Sequence, residues 1–450
     1  FEINLLCISF SNSKFLDART TDAPALANSN AHDFPIPEEA PVIITTLFFI
    51  KFQRNLLIQI NIFSMTIIEV NSSSTIKKFH NLPYDIYKTN KNWIPHIKQE
   101  VETVFNPKKN KFFRHGIAKR WILQNSEGKI IGRIAAFINR KKAFTERQPT
   151  GGIGFFESID NKEAAHKLFN TAKKWLKSKD MQAMDGPINF GERDRYWGLL
   201  VEGFENAPIY GNAYQPKYYE NLFTSFGFKT YFEQYMFIRS LNDPIPEKYQ
   251  QRANNIVKDK GYTFKHLEKS KMFEYAEDFR LVYNQAWTKH SNFKGMSETQ
   301  ARSIMRKLKP VMDPELIWFA YYNNKPVGFF ISLPELNQIF KHVNGNFNWI
   351  GKIKFLLYKF MGNSKNIFGI AFGITPDHQK KGLEGALIMS LKKQLELKNK
   401  YKNIIITWIG DFNPKMIRII ENLGTRKYMT LKTYRHLFDK NAKFERCKTI

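Results

Sequence analysis

The stretch NIFGIAFGITPDHQKKGLEGALIMSLKKQLELKNKYKNIIITWIGDFNPKMIRIIENLG, Asn366 to Gly424, decides the fold. It reads as strand, tight turn, helix, strand, helix. Ile367 to Ile374 is a short, apolar, β-rich run containing Gly369 and Gly373, and glycine inside a strand marks a bulge or a close approach to the backbone. Thr375-Pro376-Asp377 makes a turn. Gln379-Lys380-Lys381-Gly382-Leu383-Glu384-Gly385 then opens a helix whose apolar face is Leu387, Ile388, Leu391 and Leu395. A glycine-containing turn feeding a helix leaves backbone N–H groups pointing outward at the positive end of the dipole. Lys380 and Lys381 add charge there, so the arrangement suits an anion and a pyrophosphate in particular.

Neither G-x-x-x-x-G-K-[ST] nor G-x-G-x-x-G follows the strand, which excludes a P-loop and a dinucleotide fingerprint. What remains is Gln-x-x-Gly-x-x-Gly after a strand ending in Gly-Ile-Thr-Pro. This resembles the acetyl-CoA pyrophosphate loop of the GNAT superfamily of N-acetyltransferases, whose usual pattern is Gln/Arg-x-x-Gly-x-Gly/Ala. The strand Asn403 to Ile409 and the segment Asn413 to Gly424 match the order of that superfamily's next elements. The plainer reading is an ordinary βαβα segment with glycines at its turns.

Working outward, 450 residues are comfortable for two domains, and 43% hydrophobic with 15% aromatic residues is ample for cores. Cys7 and Cys447 make neither a metal spacing nor a disulfide framework, which fits a reducing cytoplasm. The net charge of +28 would serve nucleic acid, an anionic membrane or a polyanionic cofactor. Without a helix-turn-helix, zinc knuckle or RNP-like strand, nucleic acid is disfavoured. Residues 1–64 look foreign to the rest: their two apolar runs, 41–50 and 55–63, are each too short to span a bilayer. Met65 is expected to be the natural start, with 1–64 a non-native or disordered extension.

From Met65 the pattern is compact. Strands are expected at Gly116–Gln124, Lys129–Asn139 and Gly151–Asp160, then an amphipathic helix at Lys162–Lys177 with Ala165, Leu168, Phe169, Ala172 and Leu176 on one face. A helix at Pro216–Gly227 and a strand at Phe228–Arg239 close this half. The second half repeats the plan, with a hairpin at Leu316–Tyr322 and Pro326–Leu333. Tyr214–Phe228 parallels Phe412–Thr425, which reads as a duplication. The expected fold is therefore α/β. It comprises two tandem GNAT-like units (65–240 and 241–450), each a mixed, mostly antiparallel sheet flanked by helices. The segments Tyr87–Asn110 and Asp185–Phe228 narrow the resemblance to a bacterial group of tandem-GNAT proteins.

The resemblance implies an N-acyltransferase that takes acetyl-CoA, or another acyl-CoA, and an amine acceptor, without a metal. The cofactor falls to the second unit, because the first has Phe156 to Glu163 in place of the glycine loop. Phe372, Gly373 and Ile374 would supply a backbone donor for the thioester carbonyl. Gln379, Lys380, Lys381, Gly382, Leu383, Glu384 and Gly385 would hold the pyrophosphate, with Asn413 nearby. Glu335 and Asp411 are candidates for the base, although a loop or capping role is the plainer reading of each. The usual tyrosine acid is replaced by Ile420, leaving Tyr428 and Tyr434 as nearby alternatives, of which Tyr428 is the candidate. Glu384 departs from the family pattern as well. These departures keep open a second reading: a module that binds acyl-CoA or a partner without chemistry. Finally, the basic aromatic insertion Phe340–Gly362 fits a helix lying on an anionic membrane, and fits better one that covers the cofactor or packs between units.

Overall fold

The computed structural model describes residues 65–145, 147–287 and 295–449. The expectation for residues 1–64 lies outside the described residues. The first half contains β1 (Thr66–Glu69), α1 (Ser73–Ile86), α2 (Lys98–Val104), β2 (Gly116–Gln124), β3 (Ile130–Asn139), β4 (Thr150–Ser158), α3 (Lys162–Lys177), β5 (Ala183–Gly186), β6 (Leu199–Glu202), α4 (Tyr219–Phe226) and β7 (Lys229–Ser240). The second contains α5 (Glu247–Lys258), β8 (Tyr262–His266), α6 (Met272–Trp287), α7 (Glu298–Leu308), β9 (Ile317–Tyr322), β10 (Lys325–Pro334) and α8 (Trp349–Phe360). It continues through β11 (Asn366–Ile374), α9 (Leu383–Glu396), β12 (Asn403–Gly410), α10 (Pro414–Asn422) and β13 (Arg426–Leu437).

Local chemistry sets the helix starts. Ser72 and Ser297 form capping boxes with Thr75 and Gln300, and Asn161 accepts from the Ala164 N–H at the start of α3. The expected face of α3 is fully buried. The repeated helices α4 and α10 are each followed by a left-handed glycine, Gly227 (φ 97°) and Gly424 (φ 74°), which frees the chain to turn into β7 and β13.

Each half is a mixed, mostly antiparallel sheet with flanking helices, as expected, but the two sheets are joined. The strand order is β1-β2-β3-β4-β5-β13-β7-β12-β11-β10-β9-β8, with β6 beside β13. The closing strands have changed places. β7, which ends the first half, pairs with β12 of the second, and β13, which ends the second, pairs with β5 of the first. The two closing strands also pair with each other. Neither half thus leaves an unpaired edge at the join, and one core cluster draws Leu200, Tyr210 and Met236 together with Phe319, Phe329 and Phe368.

The β4–β5 and β11–β12 pairs are parallel, and both diverge. The β11–β12 ladder runs from Asn366 opposite Asn403 to Gly369 opposite Ile406 and ends there. At that point β11 carries one extra residue against β10, Ile370, since Gly369 faces Ser332 and Ala371 faces Ile331. β12 also carries one extra residue against β7, within Thr407–Trp408. A bulge bends its strand and increases the local twist, so two opposed bulges prise the pair open. The bulge falls at Ile370, beside Gly369, one of the two glycines that mark the strand, and not at Gly373, the one next to the expected thioester donors.

Candidate active site

The opened pair makes a cleft. Its walls are Phe368 and Ile370 of β11, Thr407 and Trp408 of β12, and Asp194, Arg195, Ile209, Tyr210 and Asn212 from the loops flanking β6. The cleft is narrow, with about 20 Å³ of room for the centre of a water molecule, and it continues into solvent. The Thr407 hydroxyl donates to the Gly369 carbonyl at 3.0 Å, bracing the strands where they part. The Trp408 Nε1–H is buried and has no hydrogen-bond acceptor among the described residues.

The first-half wall is charged and firmly held. Arg195 Nη1 lies 3.3 Å from Glu100 Oε2, the Tyr210 hydroxyl donates to Glu100 Oε1 at 2.6 Å, and the guanidinium sits 5.0 Å from the centre of the Tyr210 ring. Burial works against the charge on Arg195, and Tyr210 and Glu100 more than offset it, so the guanidinium stays ionised. Burial and Glu100 push the Tyr210 phenol well above its ordinary range.

The equivalent opening in the first half is shut. The β4–β5 ladder ends at Gly152 opposite Asp185, and β4 bulges between Gly154 and Glu157. There, however, the chain leaving β5 turns back, and the Ile188 N–H donates to the Ile153 carbonyl at 2.7 Å. A Cβ on Gly154 would lie 1.9 Å from the Ile188 carbonyl oxygen, so backbone already fills the gap. Glu157 is buried just beyond, accepting from Tyr87 and Tyr219 at 2.8 Å each and lying 3.3 Å from Arg133.

The turn into α9 has the features expected of an anion cradle, with two qualifications. Gln379, Lys380 and Lys381 are exposed, Lys380 is left-handed (φ 64°), and Gly382 (φ 99°) stands at the helix N-cap with no side chain to satisfy the first-turn amides. The side chain of Gln379 is tied to the Ile374 carbonyl at 2.9 Å. The first qualification is that α5 packs against this turn. A Cβ at position 382 would meet Arg252 atoms at 2.9–3.1 Å, and one at 385 would meet the Tyr249 carbonyl oxygen at 3.2 Å and the Ala253 Cβ at 3.3 Å. Both glycines are thus demanded by packing, whatever binds. The second is Glu384, half-buried in the first helical turn, while Leu383 is core.

The remaining sequence candidates have partners of their own. Glu335 is buried, and its carboxylate accepts from the backbone N–H groups of Tyr210 (2.8 Å), Asn337 (2.9 Å) and Gln338 (3.0 Å). It ties the cleft loop to the end of β10, and burial pushes its pKa up to about 7. Asp411 pairs with Arg446 in the C-terminal tail. The Tyr428 hydroxyl donates to the Ala207 carbonyl at 2.8 Å, and burial raises it to about 12. Asn413 caps α10 by accepting from the Met416 N–H. Ile420 is buried with Phe237, Ile409 and Leu423. In β11, Phe372, Gly373 and Ile374 face Phe330, Phe329 and Gly328 of β10, above the bulge. Missed from the sequence were Asp194, Arg195, Tyr210, Thr407 and Trp408. The first three lie within the Asp185–Phe228 segment that carries the resemblance, which was the available signal.

A doubled strand–helix plan, with a bulged, splayed parallel pair and a glycine-led helix in the second copy, defines a tandem GNAT-type α/β fold. The chain is similar to a protein named bacterial ceramide synthase from Caulobacter vibrioides (24% identical over 374 residues, 82% of this chain and 97% of the relative). It is also similar to Protein YghO of Escherichia coli (22% over 366 residues, 81% and 93%). Among solved structures, a tandem GNAT protein from the clavulanic acid biosynthesis pathway aligns with a TM-score of 0.49 at 10% identity, covering 84% of this chain and all of that one. A GCN5-related N-acetyltransferase from Sphaerobacter thermophilus aligns at 0.44 and 8%, covering 84% and 98%. No family model matches the chain.

Proposed function

We propose that this chain is an acyl-CoA-dependent N-acyltransferase that works from its second half. The observation that carries the reading is the contrast between the two splayed strand pairs. One is stitched shut by Ile188 on Ile153, and the other stands open between Ile370 and Trp408. The uncapped start of α9 with Lys380 and Lys381 fits a pyrophosphate, since first-turn amides and a positive dipole end favour a dianion. Glu384 opposes that fit. When bound, acyl-CoA supplies an activated thioester. The chain's own part is to hold the acyl arm against the unpaired edge of β11 beyond Gly369, and to present the amine from the side of Arg195 and Tyr210. Holding two reactants in register can itself supply much of the rate.

The acceptor we infer is a long-chain amino alcohol or a similar lipid-like amine, forming an amide. Support comes from the Caulobacter relative, matched over nearly its whole length; a ceramide is the amide of such an amine. A cytoplasmic site of action fits the two-cysteine composition. Among the described residues, no helix is long and apolar enough to cross a membrane. The test is thiol release from acyl-CoAs of graded chain length against a panel of amino alcohols, polyamines and amino acids, with the amide identified by mass. Acyl-CoA binding without turnover on any amine would favour the second reading, a binding module. The buried Ile420 and the engaged carboxylates of Glu335 and Asp411 speak for that reading.

A further inference from the structure

Helix α8 is placed as few helices of a folded chain are. It touches the protein through Gly351 and Phe355, with Tyr358 half-buried beside His342. Its other apolar side chains face outward. Trp349 is 70% exposed, Ile353 57%, Leu356 62%, Leu357 53%, Phe360 93% and Met361 61%. At about 100° per residue, these residues and Ile350 cover one continuous sector opposite Gly351 and Phe355. The lysines flank that sector, with Lys352 and Lys359 on one side and Lys354 on the other. Monomeric proteins rarely leave so large a contiguous apolar patch bare.

The charge along this stretch of chain has one sign. From Asn337 to Pro376 the chain contains no Asp or Glu and five lysines (341, 352, 354, 359 and 365). Lys359 donates to the Pro310 carbonyl, and its charged neighbours are Lys269, Lys400 and Asp313, the last already paired with Lys400. An apolar face bordered by lysines on both flanks, with a tryptophan at one end, is what the boundary of an anionic bilayer accommodates. Apolar side chains enter the acyl region, the indole sits at headgroup depth, and the lysine stems carry their charge to the phosphates. A second copy of this chain, at +28, would bring like charge to the same place.

The helix also adjoins the cleft. Phe355 packs on Phe340 (ring centres 5.0 Å apart), and Phe340 stacks on Tyr210 (5.2 Å), a wall of the site. We propose that α8 docks the protein on an anionic lipid surface, lying in the plane of the interface with Trp349, Ile353, Leu357 and Phe360 inserted. The docking stands on the helix itself; delivery of a lipid-like amine to the cleft rests on the acyltransferase reading above.

The test is co-sedimentation of the full chain with extruded vesicles of phosphatidylcholine, with and without phosphatidylglycerol. Both double variants, Ile353→Asp/Leu357→Asp and Lys352→Glu/Lys354→Glu, alter exposed positions, and unchanged melting temperatures will verify their folding. Wild type is expected to bind the anionic vesicles, and each variant to lose about tenfold or more in partitioning, because each removes apolar area or reverses charge at the surface. Quenching of tryptophan emission by brominated lipid should fall in Trp349→Phe. Four results would overturn the proposal. They are no binding by wild type, equal binding by the variants, a dimer that the Ile353/Leu357 variant dissolves, and binding that emerges only once residues 1–64 are removed. An inactive protein that still binds vesicles would leave docking standing and count against the enzyme alone.

Discussion

The backbone N–H of Ile188 donates to the carbonyl of Ile153 at 2.7 Å, and with it the first half gives up the opening that the second half keeps. The bond sits where β4 and β5 part, so main chain occupies the gap that an acyl arm would need. One acyl-CoA per chain is therefore expected by calorimetry. A stoichiometry of two would mean that the 187–190 segment swings out and that the halves are equivalent.

Charge at the α9 turn can be probed apart from packing. Gly382→Asp would confound the two, since a Cβ there strikes Arg252 and the backbone is left-handed. Lys380 and Lys381 are exposed, so Lys380→Glu/Lys381→Glu should leave the melting temperature within about a degree. The same change should weaken acyl-CoA binding by about tenfold or more, as two charges reverse beside a phosphate pair. Unchanged affinity would remove the pyrophosphate from this turn.

Periodicity carried most of the elements because it is local. The face of α3 and the hairpin of β9 and β10 could be read from spacing alone. The exchange of β7 and β13 could not, since nothing in either strand names its neighbour, and a closing strand reads the same beside its own half or the other. The site was legible only at its charged edge. Thr407 and Trp408 lie in an apolar run that reads as plain strand, and the bulge there depends on register with β7. Glu335 looked like a solvated loop acid because its burial comes from the Tyr210 loop, 125 residues away. The sequence of α8 reads as a basic aromatic helix, yet whether its apolar face packs or stands bare depends on what surrounds it.

Burial raises the folded pKa of Glu335 to about 7, from an ordinary value of 4.5. Between those values the native state holds a proton that the unfolded chain has released, so this group's contribution to stability is full below about pH 4.5 and declines as pH rises to about 7. The wild-type melting temperature measured relative to Glu335→Gln should therefore fall across that window, a comparison that cancels the titration of other groups. Glu335→Ala should destabilise at every pH, by roughly 1–3 kcal/mol, because three backbone donors lose their acceptor. A difference between wild type and Glu335→Gln that is flat with pH would mean the carboxylate stays ionised throughout, held by those donors.

Trp408 offers the sharpest separation of stability from function. Its Nε1–H is buried against the cleft without an acceptor among the described residues, and an unmet buried donor costs about 1–3 kcal/mol. Proteins keep such a cost where the donor has work in a bound state. Trp408→Phe removes the donor and retains most of the ring, so the melting temperature should hold or rise by about 2 °C, given the usual relation of stability to melting temperature in domains of this size. If the indole donates to the acyl carbonyl or to the acceptor, kcat/KM should fall by about tenfold over the same change, the loss expected for one well-placed donor. A lower melting temperature would show that the indole is there for packing. Full activity with raised stability would leave the cleft in place and remove Trp408 from its chemistry.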